Sequence, residues 1–140
     1  MATTFLGIDH IGIAVRDLAQ ARASYEALGF CVEGEERLAA RGLAIAFVAT
    51  GSARLELIAP TRPDSEISAF LEKRGEGLHH VCMRVAELDQ ALAAMKAAGA
   101  RLIDEVPRPG AHGSRVAFVH PKSAAGVLLE LAEAAPTGHD

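Results

Sequence analysis

His10 and His80 stand 70 positions apart, and each is followed at a similar distance by a glutamate, Glu56 and Glu130, inside an apolar run. Imidazole and carboxylate together suit a divalent first-row metal such as cobalt, manganese, nickel or zinc, and four protein ligands leave coordination positions open for substrate or water. A metal held this way acts as a Lewis acid toward an oxygen that gains charge during a reaction. A lone strand histidine is usually structural, so the weight rests on the pairing: two histidines and two glutamates at matched places.

The surrounding residues say how the four are carried. In IDHIGIAV the apolar Ile11, Ile13 and Val15 alternate with His10, Gly12 and Ala14, the period of a strand with two unlike faces. Leu55 and Leu57 flank Glu56, and Leu129 and Leu131 flank Glu130, so each carboxylate points away from a leucine face. His80 shares parity with Cys82 and Arg84, whereas His79 faces the other way. If the leucine faces meet helices, His10, Glu56, His80 and Glu130 lie on the opposite, concave face.

This matching belongs to an internal repeat. Displaced by 70 positions, residues 7–30 align without a gap on residues 77–100, with nine of 24 positions identical, among them His10/His80, Leu18/Leu88 and Gly29/Gly99. Ala46-Phe47-Val48 then matches Ala117-Phe118-Val119, and Leu55-Glu56-Leu57 matches Leu129-Glu130-Leu131. In each copy a strand leads to a helix, N-capped in the first by Asp17, with Leu18, Ala21, Tyr25 and Leu28 at helical spacing before Gly29; the second repeats it with Leu88, Ala91, Met95 and Ala98 before Gly99. Strand-like runs follow: residues 30–32, 43–49 and 54–58, then 102–103, 115–120 and 127–131.

The fold expected is therefore α+β: two tandem βαβββ modules, about residues 7–60 and 77–133, related by a pseudo-twofold axis and forming a curved, incompletely closed eight-stranded sheet around a metal-binding cup. A linker helix over about residues 64–75 joins them, with Ile67, Phe70 and Leu71 inward and Glu72, Lys73 and Arg74 in water. The whole of residues 1–140 reads as one domain. A net charge of −4 argues against nucleic-acid or anionic-membrane surfaces, the N-terminus lacks a basic, apolar leader, and Cys31 and Cys82 form no redox motif, so a soluble cytoplasmic protein is expected.

Strand-borne His and Glu, repeated in tandem βαβββ modules, resemble the vicinal-oxygen-chelate superfamily, which includes glyoxalase I, ring-cleaving dioxygenases and acyl-CoA epimerases. The blocks DSEISAFLEKRGEGLHHV and GAHGSRVAFVHPKSAAGVLLEL are similar to its methylmalonyl-CoA epimerase branch over nearly the whole chain. The resemblance implies metal ligands His10, Glu56, His80 and Glu130, with a glutamine sometimes standing at the Glu56 place in relatives. It also implies Glu130 as a catalytic base, an acyl-CoA substrate and a homodimer; Lys122 and Ser123, in the HPKSAAG turn, are read as substrate contacts, with a plain surface lysine in a turn the other reading of Lys122.

The implied reaction is removal of the C2 proton of methylmalonyl-CoA and its return on the other face, through a metal-stabilised enolate. The second base expected from that branch lies in a Glu-Gln-Gly segment, but Ala40 and Arg41 occupy the places of Glu and Gln here. Glu35, Glu36 or a water are the remaining proton carriers. A glyoxalase I-type lyase acting on a glutathione hemithioacetal is the alternative with the same ligands. His112, in a glycine-bounded loop, is either a lid residue or a turn residue; Arg84 is an anion contact or a strand-end cation.

Overall fold

A computed structural model describes residues 3–134. It contains strands β1 (Phe5–Ala14), β2 (Cys31–Leu38), β3 (Leu43–Ala49), β4 (Arg54–Pro60), β5 (Gly77–Val85), β6 (Arg108–Pro109), β7 (Arg115–Val119) and β8 (Leu129–Glu133), and helices α1 (Leu18–Ala27), α2 (Glu66–Arg74) and α3 (Leu88–Ala97). With eight strands and three helices among the described residues, the protein is of the α+β, eight-stranded class expected. The chain divides into two compact units, His10–His79 and Met1–Asp9 with His80–Asp140.

Within His10–His79 the strand order is β2-β3-β4-β1, antiparallel except for the parallel β4–β1 pair. The other unit repeats the pattern as β6-β7-β8-β5, again with only the last pair, β8–β5, parallel. Asp17 caps α1 by accepting from the Gln20 N–H at 2.9 Å, and Ser65 caps α2 by accepting from the Ser68 N–H at 3.1 Å. Ile67 and Leu71 of α2 are buried while Glu72, Lys73 and Arg74 are exposed, the facing expected of the linker helix.

The leucine faces are where the helices sit. Leu55, Leu57, Ala46 and Val48 pack with Leu18, Ala21 and Tyr25 of α1. In the other unit Leu129, Leu131, Ala117 and Val119 pack with Leu88, Ala91, Leu92 and Met95 of α3. Two helix-face expectations fail: Leu28 is 73% exposed and Ala98 is exposed, because each is the C-cap residue, where the chain has already turned off the helix.

The expected strand at Leu102-Ile103 is reduced to a single bridge, Leu102 with Val119. The next pairing along would use the Phe118 N–H, but the Asp104 carboxylate accepts it at 2.9 Å. Pairing resumes only at the two-residue β6, in a stretch where Pro107 and Pro109 lack N–H donors. Conversely β2 runs on to Leu38, beyond the expected 30–32 stretch, through a bulge between Val32 and Gly34. Gly34 has φ 153°, which glycine tolerates without strain.

Leu57 and Leu131 have no exposed surface. Leu57→Ala and Leu131→Ala should each lower unfolding stability by about 2–5 kcal/mol in denaturant titrations, whereas Leu28→Ala should change it by less than about 0.5 kcal/mol.

Candidate functional site

Each unit buries one imidazole against one carboxylate. In His10–His79, the parallel pairing of β4 on β1 sets Arg54 opposite His10 and Glu56 opposite Gly12, which adds no side chain to that face. His10 and Glu56 are 5% and 2% exposed, with His10 Nδ1 3.3 Å from Glu56 Oε2. Arg54, two residues before Glu56 and so on the same face, brings its Nε within 2.9 Å and its Nη2 within 2.7 Å of that same oxygen. The guanidinium also lies 5.5 Å from the ring centre of Phe47, the cross-strand partner of Glu56 on β3.

In the other unit the elements repeat. His80 and Glu130 are buried, with His80 Nε2 2.9 Å from Glu130 Oε1. Phe118, the β7 partner of Glu130, meets the His80 ring edge-on at 5.6 Å. Cys82 shares this face but packs against Val116 and Ala132 as an apolar residue. Taking a charge out of water costs several kcal/mol, and here each buried carboxylate has an imidazole within 3.3 Å. Imidazole nitrogen and carboxylate oxygen are donor types that fit a divalent first-row ion.

The remaining sequence candidates separate clearly. His79 faces away from His80 and meets Phe70 of α2 edge-on at 4.8 Å. Arg84 pairs with Asp9 at 3.2 Å, which makes it a strand cation with a local partner. His112, at φ 57°, occupies the middle of a 3-10 turn, Ala111–Gly113. Lys122 and Ser123 are exposed on the turn after β7, where the Ser123 hydroxyl accepts the Arg101 N–H at 2.8 Å.

The segment where the resemblance leads one to expect a second base is held firmly. Ala39–Arg41 form a 3-10 turn whose carbonyls at Ala39 and Ala40 accept Arg62 Nη1 and Nη2 at 2.8 and 3.2 Å, and Arg41 pairs with Glu66 at 2.7 Å. The two upstream glutamates differ in facing. Beyond the bulge, Glu35 is opposite Ala46 on the helix face and pairs with Arg22 of α1 at 2.6 Å; Glu36 is opposite Ile45, on the face of Glu56. Sequence reasoning missed Phe47, Phe118 and Arg54 as site residues, although the repeated Ala-Phe-Val triplet carried the signal for the two phenylalanines.

Comparison with known proteins places this arrangement among relatives. Residues 9–118 match the family model described as the glyoxalase/bleomycin resistance protein/dioxygenase superfamily. The mitochondrial methylmalonyl-CoA epimerase of Bos taurus is 39% identical over 129 residues, 91% of this chain and 74% of that protein. An ethylmalonyl-CoA/methylmalonyl-CoA epimerase of Cereibacter sphaeroides is 38% identical over 127 residues, 89% and 95% of the two chains. A methylmalonyl-CoA epimerase solved with methylmalonyl-CoA and NH4+ is 38% identical, with a TM-score of 0.88 over 94% of this chain and 96% of that one.

His120 caps the turn that carries Lys122 and Ser123, its Nδ1 accepting the Lys122 N–H at 3.0 Å. Partial burial, followed by the cations of Arg101 and Lys122, lowers its pKa below the ordinary imidazole value of 6.5. A lowered folded pKa means that this contribution is complete above the unfolded value and is lost as pH falls through the folded one. An NMR titration should show the His120 ring protonating below the ordinary range, with the Lys122 amide resonance moving in step.

Proposed function

Because the chain belongs to the glyoxalase/bleomycin resistance protein/dioxygenase superfamily, we propose that it is a metal-dependent isomerase interconverting (2R)- and (2S)-methylmalonyl-CoA. The observation that carries this reading is the duplicated buried imidazole–carboxylate pair, which has no structural need to recur with such fidelity in both units. His10, Glu56, His80 and Glu130 would together hold the divalent ion, which when bound supplies Lewis-acid stabilisation of negative charge on substrate oxygens. Its relatives' names and the bound substrate of the solved epimerase support the acyl-CoA assignment.

The chemistry then falls to the protein's own groups. Glu130 takes the C2 proton, the C–H electron pair moves into the C1–C2 bond, and the thioester oxygen gains the charge of an enolate. The planar carbon regains a proton from the opposite face, and the stereocentre is inverted. Ala40 has no proton to give. Glu36 is the carboxylate that the β2 bulge turns onto the face of Glu56, and this orientation supports it, over Glu35, as the second proton carrier. Lys122 and Ser123 would meet anionic or polar parts of the acyl-CoA; the exposure of both supports that role.

Among the described residues no helix is long and apolar enough to cross a membrane, and the reading includes a cytoplasmic location, without nucleic-acid partners. Phe5, Leu6 and Ile8 of β1 are 48%, 53% and 47% exposed, apolar surface that supports a homodimer.

The cobalt-loaded protein incubated with (2R)-methylmalonyl-CoA in deuterium oxide should exchange the C2 proton and build up the other epimer. Exchange no faster than with cobalt alone would overturn the assignment, and turnover of the methylglyoxal–glutathione adduct instead would favour a lyase. His80→Ala should abolish cobalt binding in calorimetry while His79→Ala retains it. Glu36→Gln should slow epimerisation roughly 100-fold or more, in the range of a lost acid–base group, with Glu35→Gln close to wild type.

A further inference from the structure

An arginine over the phenylalanine of the site recurs in both units, although the repeat does not supply it. In His10–His79, Arg54 of β4 lies 5.5 Å from the ring centre of Phe47. Leu55-Glu56-Leu57 matches Leu129-Glu130-Leu131, so the place equivalent to Arg54 is Leu128. A guanidinium lies over Phe118 all the same, 5.3 Å from the ring centre, and it belongs to Arg108 of β6. Register puts Arg108 on the site face: it is opposite Val116, two residues before Phe118, and Phe118 is opposite Glu130. The same Phe118 ring meets His80 edge-on. Arg115, one position before Val116, faces the other way and reaches Asp89 of α3 at 3.1 Å.

Arg108 is oriented by the residue that interrupts the sheet. Asp104 Oδ2 accepts the Phe118 N–H at 2.9 Å, and the same oxygen lies 3.4 Å from Arg108 Nε. That Nε is buried, while the side chain as a whole is 33% exposed. One carboxylate thus fixes both the aromatic seat and one edge of the guanidinium lying on it. A planar guanidinium held at Nε and backed by a ring has little rotamer freedom left to lose when an anion docks. Its fork also matches a carboxylate through two parallel hydrogen bonds.

We infer that Arg108 recognises the free carboxylate of the substrate, and that Asp104 is the positioning residue that aims it. The inference rests on the acyl-CoA reading above and deepens it. The carbon that reacts in that reading lies between a thioester and a carboxylate, and only the carboxylate separates such a substrate from simple acyl-CoA thioesters. A site built around an oriented cation rejects a ligand that lacks the anion, because that ligand would strip water from the guanidinium without offering it an acceptor. This is a binding role, and it holds with or without a metal ion.

Calorimetry with malonyl-CoA, which bears the carboxylate, and propionyl-CoA, which lacks it, tests this on the metal-free and the cobalt-saturated protein. The variants are Arg108→Met, Arg108→Lys and Asp104→Asn, each checked by circular dichroism; Asp104→Asn keeps an oxygen for the Phe118 N–H. Wild type should prefer malonyl-CoA in both forms. Arg108→Met should weaken malonyl-CoA binding about tenfold or more, the range of a lost charge-assisted hydrogen bond, while propionyl-CoA binding shifts by less than about twofold. Arg108→Lys, which keeps the charge but not the fork, and Asp104→Asn should each fall between Arg108→Met and wild type. Equal losses for both ligands, no loss for malonyl-CoA, or a loss confined to the cobalt-saturated protein overturns the inference. Asp104→Asn with the wild-type preference overturns the positioning role. A wild type that binds both ligands equally also overturns the inference and leaves the acyl-CoA reading intact, whereas one that binds neither shows that the acyl-CoA reading itself fails.

Discussion

Burial of a carboxylate on a strand is tolerated only if that strand's two faces are kept apart, and everything at the candidate site depends on this separation. Leu55 and Leu57 must reach α1, and Leu129 and Leu131 must reach α3, before Glu56 and Glu130 can be turned to the other side. The leucines gain the burial energy; the glutamates are carried in by geometry and then need partners, because an unpartnered buried charge costs several kcal/mol. His10 and His80 sit within 3.3 and 2.9 Å of them. Slipping either β4 or β8 by one residue would put leucine in the site and glutamate under a helix, so hydrophobic packing, rather than the polar groups themselves, is what enforces the placement.

Arg54 and the Ala39–Arg41 turn show how the surroundings restrict the chemistry further. The first occupies one oxygen of Glu56. The second, where the resemblance leads one to expect a base, is pinned by Arg62 and by the Arg41–Glu66 pair. A turn fixed by three arginine contacts cannot readily swing a distant carboxylate into its place, which shifts attention to groups already on the sheet face.

Much of this was legible in the chain because repetition supplied the control that a single sequence lacks. His79 and His80 are indistinguishable by type, yet only His80 has a histidine counterpart in the first copy, and its burial beside Glu130 agrees. The leucine–glutamate–leucine triplets gave the faces of β4 and β8 by simple alternation. What was hidden were departures from alternation and periodicity. One extra residue at the β2 bulge decides which of Glu35 and Glu36 faces α1. An aspartate side chain, Asp104, replaces a strand at residues 102–103. Arg54 was invisible for another reason: an arginine at the start of a strand reads as a solvent-facing end, and only the register opposite His10 reveals that it turns back on a buried carboxylate.

The difference between Arg54 and Leu128 also bears on why two modules share one chain. Two identical subunits, each carrying one copy, would be bound by symmetry to present the same residue at both places, either two arginines or none. Once both copies are written in a single gene they can drift independently, and the two equivalent positions are free to carry different side chains. Fusion here therefore does more than raise the local concentration of two halves; it permits an inequality between them that no symmetric assembly of single modules could encode.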